Sequence, residues 1–279
     1  MEEKIQKIII NNYASKLKTT TLSGCMKEVE LIRKIGPRYD YIIEDLWVHT
    51  NRDDNFRRTV FVNSNEELPK WVHEQLVKAF SSYKTIAIVY EIVEKSGVIA
   101  IRENGKLIPF YKKFNFKGYK KTTPNINEIN LEENLKLISK MTHQEQMKYI
   151  AKTSIQEFVS SFDIKGFTLN VDAIGIVGDR VEFLEMKNRR ISSFVDKMNI
   201  GEYQMYRGIQ ENGFIVRLFT FKEYGNSHYW FENLPYFYTW NEIKNDENLT
   251  QIQNKRTSFN GNREQKTHTM KLDKYKKVE

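Results

Sequence analysis

The sequence predicts an α/β fold, α+β overall: a mixed sheet flanked by helices, preceded by an N-terminal α+β unit with an antiparallel sheet. Three observations carry this. Residues 142–222 read as helix, strand, strand, helix, strand, the alternation of an α/β layer rather than a meander. Two stretches, ENGK (103–106) and Gly178-Asp179, carry hairpin-turn chemistry. Between turn signals, apolar residues recur with strand or helix periods.

Taken in order, MEEKIQKIII opens an amphipathic helix with Ile5, Ile8, Ile9 and Tyr13 on one side, and residues 1–35 read as two helical pieces broken near TTTLSG. RYDYIIEDLWVHT (38–50) and RRTVFVN (57–63) are strands around the polar turn NRDDN. Residues 65–83 carry Trp71, Leu76, Val77 and Phe80 on a helix. TIAIVYEIV (85–93) and GVIAIREN (97–104) are strands, and Asn-Gly supplies the positive φ angles of a type I′ turn. Polar KKTTPNINEIN, with Pro124, is the candidate linker. This gives a recognition or assembly domain over 1–121, a linker over 122–130, a second domain over 131–253 and a tail over 254–279.

In the second domain, residues 142–162 place Met147, Ile150, Ile155, Phe158 and Val159 on a helical stripe. Residues 199–213 form another helix, with Asn199 as N-cap, Glu202 three residues on and Gly213 as the stop. FIVRLFTFK (214–222) is a strand, and aromatic-rich HYWFENLPYFYTW (228–240) reads as packed core or interface. The tail has Lys or Arg at eight positions against three acids, net +5, and reads as a solvated tail or a nucleic-acid arm.

The chain has 279 residues, 29% of them charged and 40% hydrophobic, with a net charge of +8. That is enough chain for a sizeable core. The basic balance favours a polyanionic partner. No apolar run suits a membrane span, and the amino end lacks the order of a signal peptide, so the expected location is cytoplasmic, away from any membrane. One cysteine, Cys25, excludes an intramolecular disulfide, and the five histidines show no paired spacing. A bound metal would therefore take oxygen ligands, which points to Mg²⁺ or Mn²⁺.

The hairpin LNVDAIGIVGDRVEFLEMKNRR (169–190) holds the candidate site. With Gly178-Asp179 as its turn, paired residues sum to 357, so Asp172 faces Glu185 and Asn170 faces Lys187 on one side of the sheet. Opposed carboxylates need compensation. A shared proton raises one pKa, or a divalent cation joins the two acids and takes phosphate oxygens for the rest. The second option is a phosphodiester-cleaving arrangement, with Lys187 orienting water or neutralising developing charge. A slip of one residue would separate the acids.

The stretch VDAIGIVGDRVEFLEMK resembles the core motif of the PD-(D/E)XK nuclease superfamily, with its restriction-endonuclease-like sheet, over about residues 150–222. The resemblance implies a Mg²⁺-dependent nuclease acting on DNA, with RNA also open, in a restriction, defence, recombination or mobile-element setting. It implies Asp172 and Glu185 as catalytic metal ligands, Lys187 as the catalytic lysine, the Met186 carbonyl as a further metal ligand and Glu157 as a helix-borne assistant. Val171 stands where the motif has Pro. Glu157 also fits a capping box headed by Ser154. Gln204 is a softer contact, because the Gln-x-x-x-Tyr spacing of some members meets Gly208 here. Arg189 and Arg190 extend a basic patch beside the hairpin. FYKKFNFKGYKK, with Lys112, Lys113 and Lys117, suits a nucleic-acid groove or a lysine-protected edge strand. Cutting both strands with one site per chain favours a homodimer. The alternatives are a nucleic-acid-binding module of the same fold without turnover, and an acid/base enzyme for a small substrate.

Overall fold

The computed structural model describes residues 19–51, 57–64, 67–82, 84–95, 98–103, 105–113, 131–149, 166–188, 197–224, 227–245, 257–259, 263–265, 267–269 and 276–279. In chain order, helices are α1 (Thr19–Ile35), α2 (Lys70–Phe80), α3 (Phe110–Lys113), α4 (Leu131–Ile138), α5 (143–149), α6 (Ile200–Glu211) and α7 (Trp240–Asn245). Strands are β1 (Tyr41–Asn51), β2 (Arg58–Asn63), β3 (Ala87–Lys95), β4 (Val98–Glu103), β5 (Lys106–Pro109), β6 (Gly166–Val177), β7 (Arg180–Asn188), β8 (Lys197–Asn199), β9 (Ile215–Tyr224), β10 (Ser227–Asn233), β11 (Thr257–Phe259), β12 (Arg263–Gln265), β13 (Thr267–Thr269) and β14 (Lys276–Lys277).

Ten strands form one mixed sheet in the order β14-β10-β9-β7-β6-β1-β2-β3-β4-β5. Two neighbours run parallel, β2 with β3 and β7 with β9; the other pairs are antiparallel. Parallel neighbours cannot be joined by a tight turn and need a crossover. The sequence supplies a helix at both places, α2 between β2 and β3 and α6 between β7 and β9. The α/β reading therefore holds.

Both crossover helices bury an apolar face on the same side of the sheet. Val72, Leu76 and Phe80 of α2 and Tyr203, Tyr206 and Ile209 of α6 join Val60, Ile174, Phe183, Val216 and Leu218 in one core. Phe183 sits edge-on to Phe80 and Phe214, with centroids at 5.5 and 5.8 Å. Removing a ring so enclosed costs about 3–5 kcal/mol. Past the end of α6, the Asn212 side-chain amide donates to the carbonyls of Lys78, Ala79 and Ser81 at the end of α2. It thereby satisfies carbonyls that a helix terminus leaves without partners.

The chain divides into two compact units, Met1–Pro37 with Tyr111–Ile164, and Arg38–Phe110 with Lys165–Glu279. The boundary expected at 122–130 is thus replaced. The strands of the expected N-terminal unit belong to the same sheet as the hairpin, because β1 pairs with β6 from Tyr41↔Ile176 to Asn51↔Gly166. A strand as apolar as β6 needs a neighbour on each edge, and β1 supplies the second. The expected linker itself lies outside the described residues. In the smaller unit, Leu22 and Cys25 of α1 pack with Ile138, Met141 and Tyr149. Here α1 begins at Thr19, the first residue of TTTLSG, with Leu22, Cys25 and Val29 buried along one stripe; residues 1–18 lie outside the described residues. Thr142 and Glu145 close a capping box ahead of α5, Thr142 N–H donating to the Glu145 carboxylate at 2.6 Å.

Some of the tail's described residues join strands. β13 pairs with β8, β14 pairs with β10, and Val278 is buried.

A chain beginning at residue 131 retains the hairpin but leaves the β6 edge without β1. It is expected to lack a cooperative unfolding transition, while the full chain shows one; far-UV circular dichroism against temperature makes the comparison.

Candidate active site

Gly178, at φ +58°, makes the hairpin turn, and its N–H donates to Asp40 Oδ2 at 2.6 Å. The pairs that follow are Val177↔Arg180, Ile176↔Val181, Gly175↔Glu182, Ile174↔Phe183 and Ala173↔Leu184. This is the register expected from a Gly178-Asp179 turn. The recorded pairing stops there, one step short of the rung that Asp172 and Glu185 would share.

That rung is not an ordinary one. Asp172 Oδ2 accepts the Met186 backbone N–H at 2.8 Å. A side chain thus reaches across to a backbone donor of β7. On the other edge of β6, the pairing passes from Glu44↔Ala173 to Leu46↔Val171, and between them Asp45 has a left-handed φ of 59°. The facing of side chains shifts here. Ile174 and Ile176 lie in the main core, but so does Val171, three residues back, with Leu169 packed against it. Strict alternation would put Val171 on the opposite face. Asn170, between Leu169 and Val171, therefore turns away from that face, correcting the expectation that it shares a side with Lys187.

Glu185 extends from β7 toward α6. It is 4% exposed. The Tyr206 hydroxyl donates to Glu185 Oε2 in a short hydrogen bond, and Lys187 Nζ pairs with Glu185 Oε1. Lys187 also meets Glu202 Oε2 at 3.3 Å. Burial pushes the Glu185 carboxyl up to about 8; Lys187 opposes this, while Asp172 and Glu202 add to it. Burial alone would lower the Lys187 ammonium, but Glu185, Glu202 and Asp172 outweigh it and hold it above its ordinary value. Burial, followed by the negative charge of Glu185, also raises the Tyr206 phenol well above its usual range. The cluster is one cation among three acids, and the added proton belongs on the most buried acid.

Glu202 and Tyr206 were not foreseen as site residues. They lie four apart on α6, so they share a helix face. The four-residue spacing sought at Gln204 begins instead at Glu202. Gln204 itself is exposed. Lys112 and Lys113 are exposed on the short helix α3. Glu157, Lys117, Arg189 and Arg190 lie outside the described residues.

Among the described residues, no group of three or more His, Cys, Asp or Glu side chains is arranged to hold a metal. The hairpin offers two carboxylates, Asp172 and Glu185. The Met186 carbonyl is a third oxygen, turned toward β6 because N–H and C=O of one strand residue point to the same edge. An all-oxygen set with two carboxylates suits Mg²⁺ or Mn²⁺, which complete their shells with water and phosphate oxygens. The chain matches no protein-family model, no curated protein and no solved structure.

The raised Glu185 pKa has a sign that stability measurements can read. The folded state keeps a proton that the unfolded chain gives up near pH 4.5, so this stabilisation is full below that value and is lost as pH rises through about 8. Urea unfolding with chelator present is expected to give a stability falling from pH 5 to pH 8, and Glu185→Gln is expected to flatten the slope. Tyr206→Phe, which strips a donor from a buried carboxyl, is expected to cost about 1–3 kcal/mol.

Proposed function

We propose that this chain is a divalent-metal-dependent nuclease that hydrolyses phosphodiester bonds of DNA, built on a PD-(D/E)XK-like core. The observation that carries the reading is the hairpin register. It runs to Ala173↔Leu184, one step short of Asp172 and Glu185, and these two acids lie close enough for Asp172 to act on the Glu185 carboxyl, which also has a lysine partner two residues on. Asp172, Glu185 and the Met186 carbonyl would hold Mg²⁺ or Mn²⁺. When bound, that ion lowers the pKa of water and offsets charge on the scissile phosphate.

The other duties fall to the chain. Lys187 stays protonated, so it acts as a fixed positive charge rather than a base. Set beside Glu185 and Glu202, it can orient an attacking water and stabilise negative charge building on phosphate oxygens. Tyr206 holds the Glu185 carboxyl in one rotamer. Asp172 is positioned by the Met186 N–H, which its Oδ2 accepts. The +8 net charge supports attraction of a polyanion. Cleavage of both strands would call for two copies of the chain.

One observation favours a second reading, a nucleic-acid-binding module without turnover. Both oxygens of Glu185 are engaged, one by Lys187 and one by Tyr206. Such a module would bind DNA with strong salt dependence and leave it intact.

Purified protein with supercoiled plasmid and Mg²⁺ or Mn²⁺ separates the two. Nicking or linearisation is expected, abolished by chelator and reduced at least 100-fold by Asp172→Ala or Lys187→Ala, in line with about 10²–10³ for one charge-stabilising group. Intact plasmid throughout, or cleavage indifferent to both substitutions, would refute the nuclease reading.

A further inference from the structure

At the turn end of the hairpin, the larger unit carries a cleft of about 630 Å³ whose walls include Arg38, Tyr39, Arg180, Arg217, Leu234 and Lys276. Glu182 and Glu232 also line it. Glu182 lies three residues before Glu185 on β7, so strand alternation turns it to the opposite face. The cleft is therefore separate from the Asp172–Glu185 cluster.

Its acids are fully occupied. Arg217 forks onto Glu182 at 2.6 and 2.9 Å, and Tyr39 donates its hydroxyl to Glu182 at 3.1 Å. The Glu232 carboxylate takes Arg217 on one oxygen at 2.7 Å and Arg38 on the other at 2.6 Å. Burial pushes Glu182 up, yet the Arg217 fork more than offsets it and keeps the group below its ordinary value. The result is an alternating chain, Tyr39–Glu182–Arg217–Glu232–Arg38, with each charged head fixed by the next. Gly175 is part of this construction. A Cβ there would run into the Tyr39 ring, so only glycine lets the ring lie against β6.

The donors are not fully occupied. A guanidinium has five N–H groups, and Arg38 spends one nitrogen on Glu232. The side chains of Arg180 and Lys276, both exposed, make no hydrogen bond or ion pair among the described residues, though the charge of Arg180 is felt by Glu182. Four cationic groups face two carboxylates whose oxygens are all engaged. What the cleft offers a ligand is N–H donors and a surplus of two positive charges, set beside the fixed heads of Arg217 and Arg38. Beside them lie an apolar side chain, Leu234, and the ring of Tyr39. The volume falls in the range of small-molecule sites, roughly 300–1,000 Å³.

We propose that this cleft binds a phosphate monoester carried on a nucleotide-sized group, with Arg38, Arg180 and Lys276 on the phosphate and Leu234 and Tyr39 against the remainder. A phosphate monoester is close to a dianion at neutral pH and accepts the forked hydrogen bonds that guanidinium groups supply. The same chemistry is found on a free nucleoside monophosphate and on the 5′-phosphorylated end of a nucleic acid.

Calorimetric titration of the full chain in chelator, where metal-dependent cleavage is off, tests this independently of the nuclease reading. The probes are adenosine 5′-monophosphate, adenosine, and a short oligonucleotide with and without a 5′-phosphate. The monophosphate is expected to bind at least tenfold tighter than adenosine. Arg180→Glu with Lys276→Glu is expected to weaken it a further tenfold or more. Arg180→Gln with Lys276→Gln is expected to follow with a smaller loss, which covers the case where the charge reversal does not fold. Tighter binding of the phosphorylated oligonucleotide than of the monophosphate assigns the site to nucleic-acid ends, and the reverse order assigns it to free nucleotides. Equal binding of phosphorylated and unphosphorylated probes, no binding of either phosphorylated probe, or indifference to the charge substitutions overturns the proposal.

Discussion

The rung at Asp172 is the constraint on which the site depends. β6 lies between β1 and β7, so its backbone groups and those facing it have to be satisfied on both edges. At this rung a carboxylate takes the Met186 N–H, and β1 accommodates with a left-handed residue, Asp45. A carboxylate in that position adds negative charge beside Glu185, which is already buried. Lys187 is the answering cation, and Glu202 holds it from the helix side. Removing one partner from a buried pair of this kind costs about 3–5 kcal/mol, because the other charge is left without compensation. Hairpin register, lysine and helix α6 are therefore coupled through one rung.

The local parts of this arrangement were legible in the sequence, and the non-local parts were not. Gly-Asp at 178–179 fixes a two-residue turn, and two-residue turns fix register. Hence the pairing as far as Ala173↔Leu184, one step short of Asp172 and Glu185, followed from counting. The partner of β6 on its other edge could not be counted, since Trp47 and Asn170 meet across more than a hundred residues of chain. The polar, Pro-containing stretch at 120–130 lies outside the described residues. It was misread as a boundary between domains because the smaller unit is built from two separated segments, and the sheet strands 41–109 lie between them. Composition marks where a chain leaves an element; it does not say which sheet the chain returns to.

Side-chain facing failed at one point for a related reason. The period-two rule assumes a uniform extended backbone. At Asp45 and Asp172 the backbone departs from it, and residues on the far side of the rung change faces together. Asn170 was lost from the site in this way, while Glu202 and Tyr206 were gained. Glu202 had been read as the residue that completes a cap for Asn199. That local role accounts for a glutamate at this position, so its residue type alone does not point to Tyr206.

Two glutamates three residues apart on β7 make the final point. Glu182 and Glu185 are both almost fully buried, and burial is the largest influence on each, raising both. They nevertheless end on opposite sides of their ordinary value. Glu182 faces a guanidinium that contacts both its oxygens and receives the Tyr39 hydroxyl as well, so the charged form wins. Glu185 faces one ammonium, which it shares with Glu202, and it has Asp172 as a like-charged neighbour. The charged form loses. Glu182 is thus held toward its charged form beside Arg217, whereas burial holds Glu185 toward its neutral form. Divergent environments for chemically identical groups are the signature by which structural and reactive carboxylates separate. On this strand the two environments separate a carboxyl held charged, Glu182, from one held neutral by burial, Glu185.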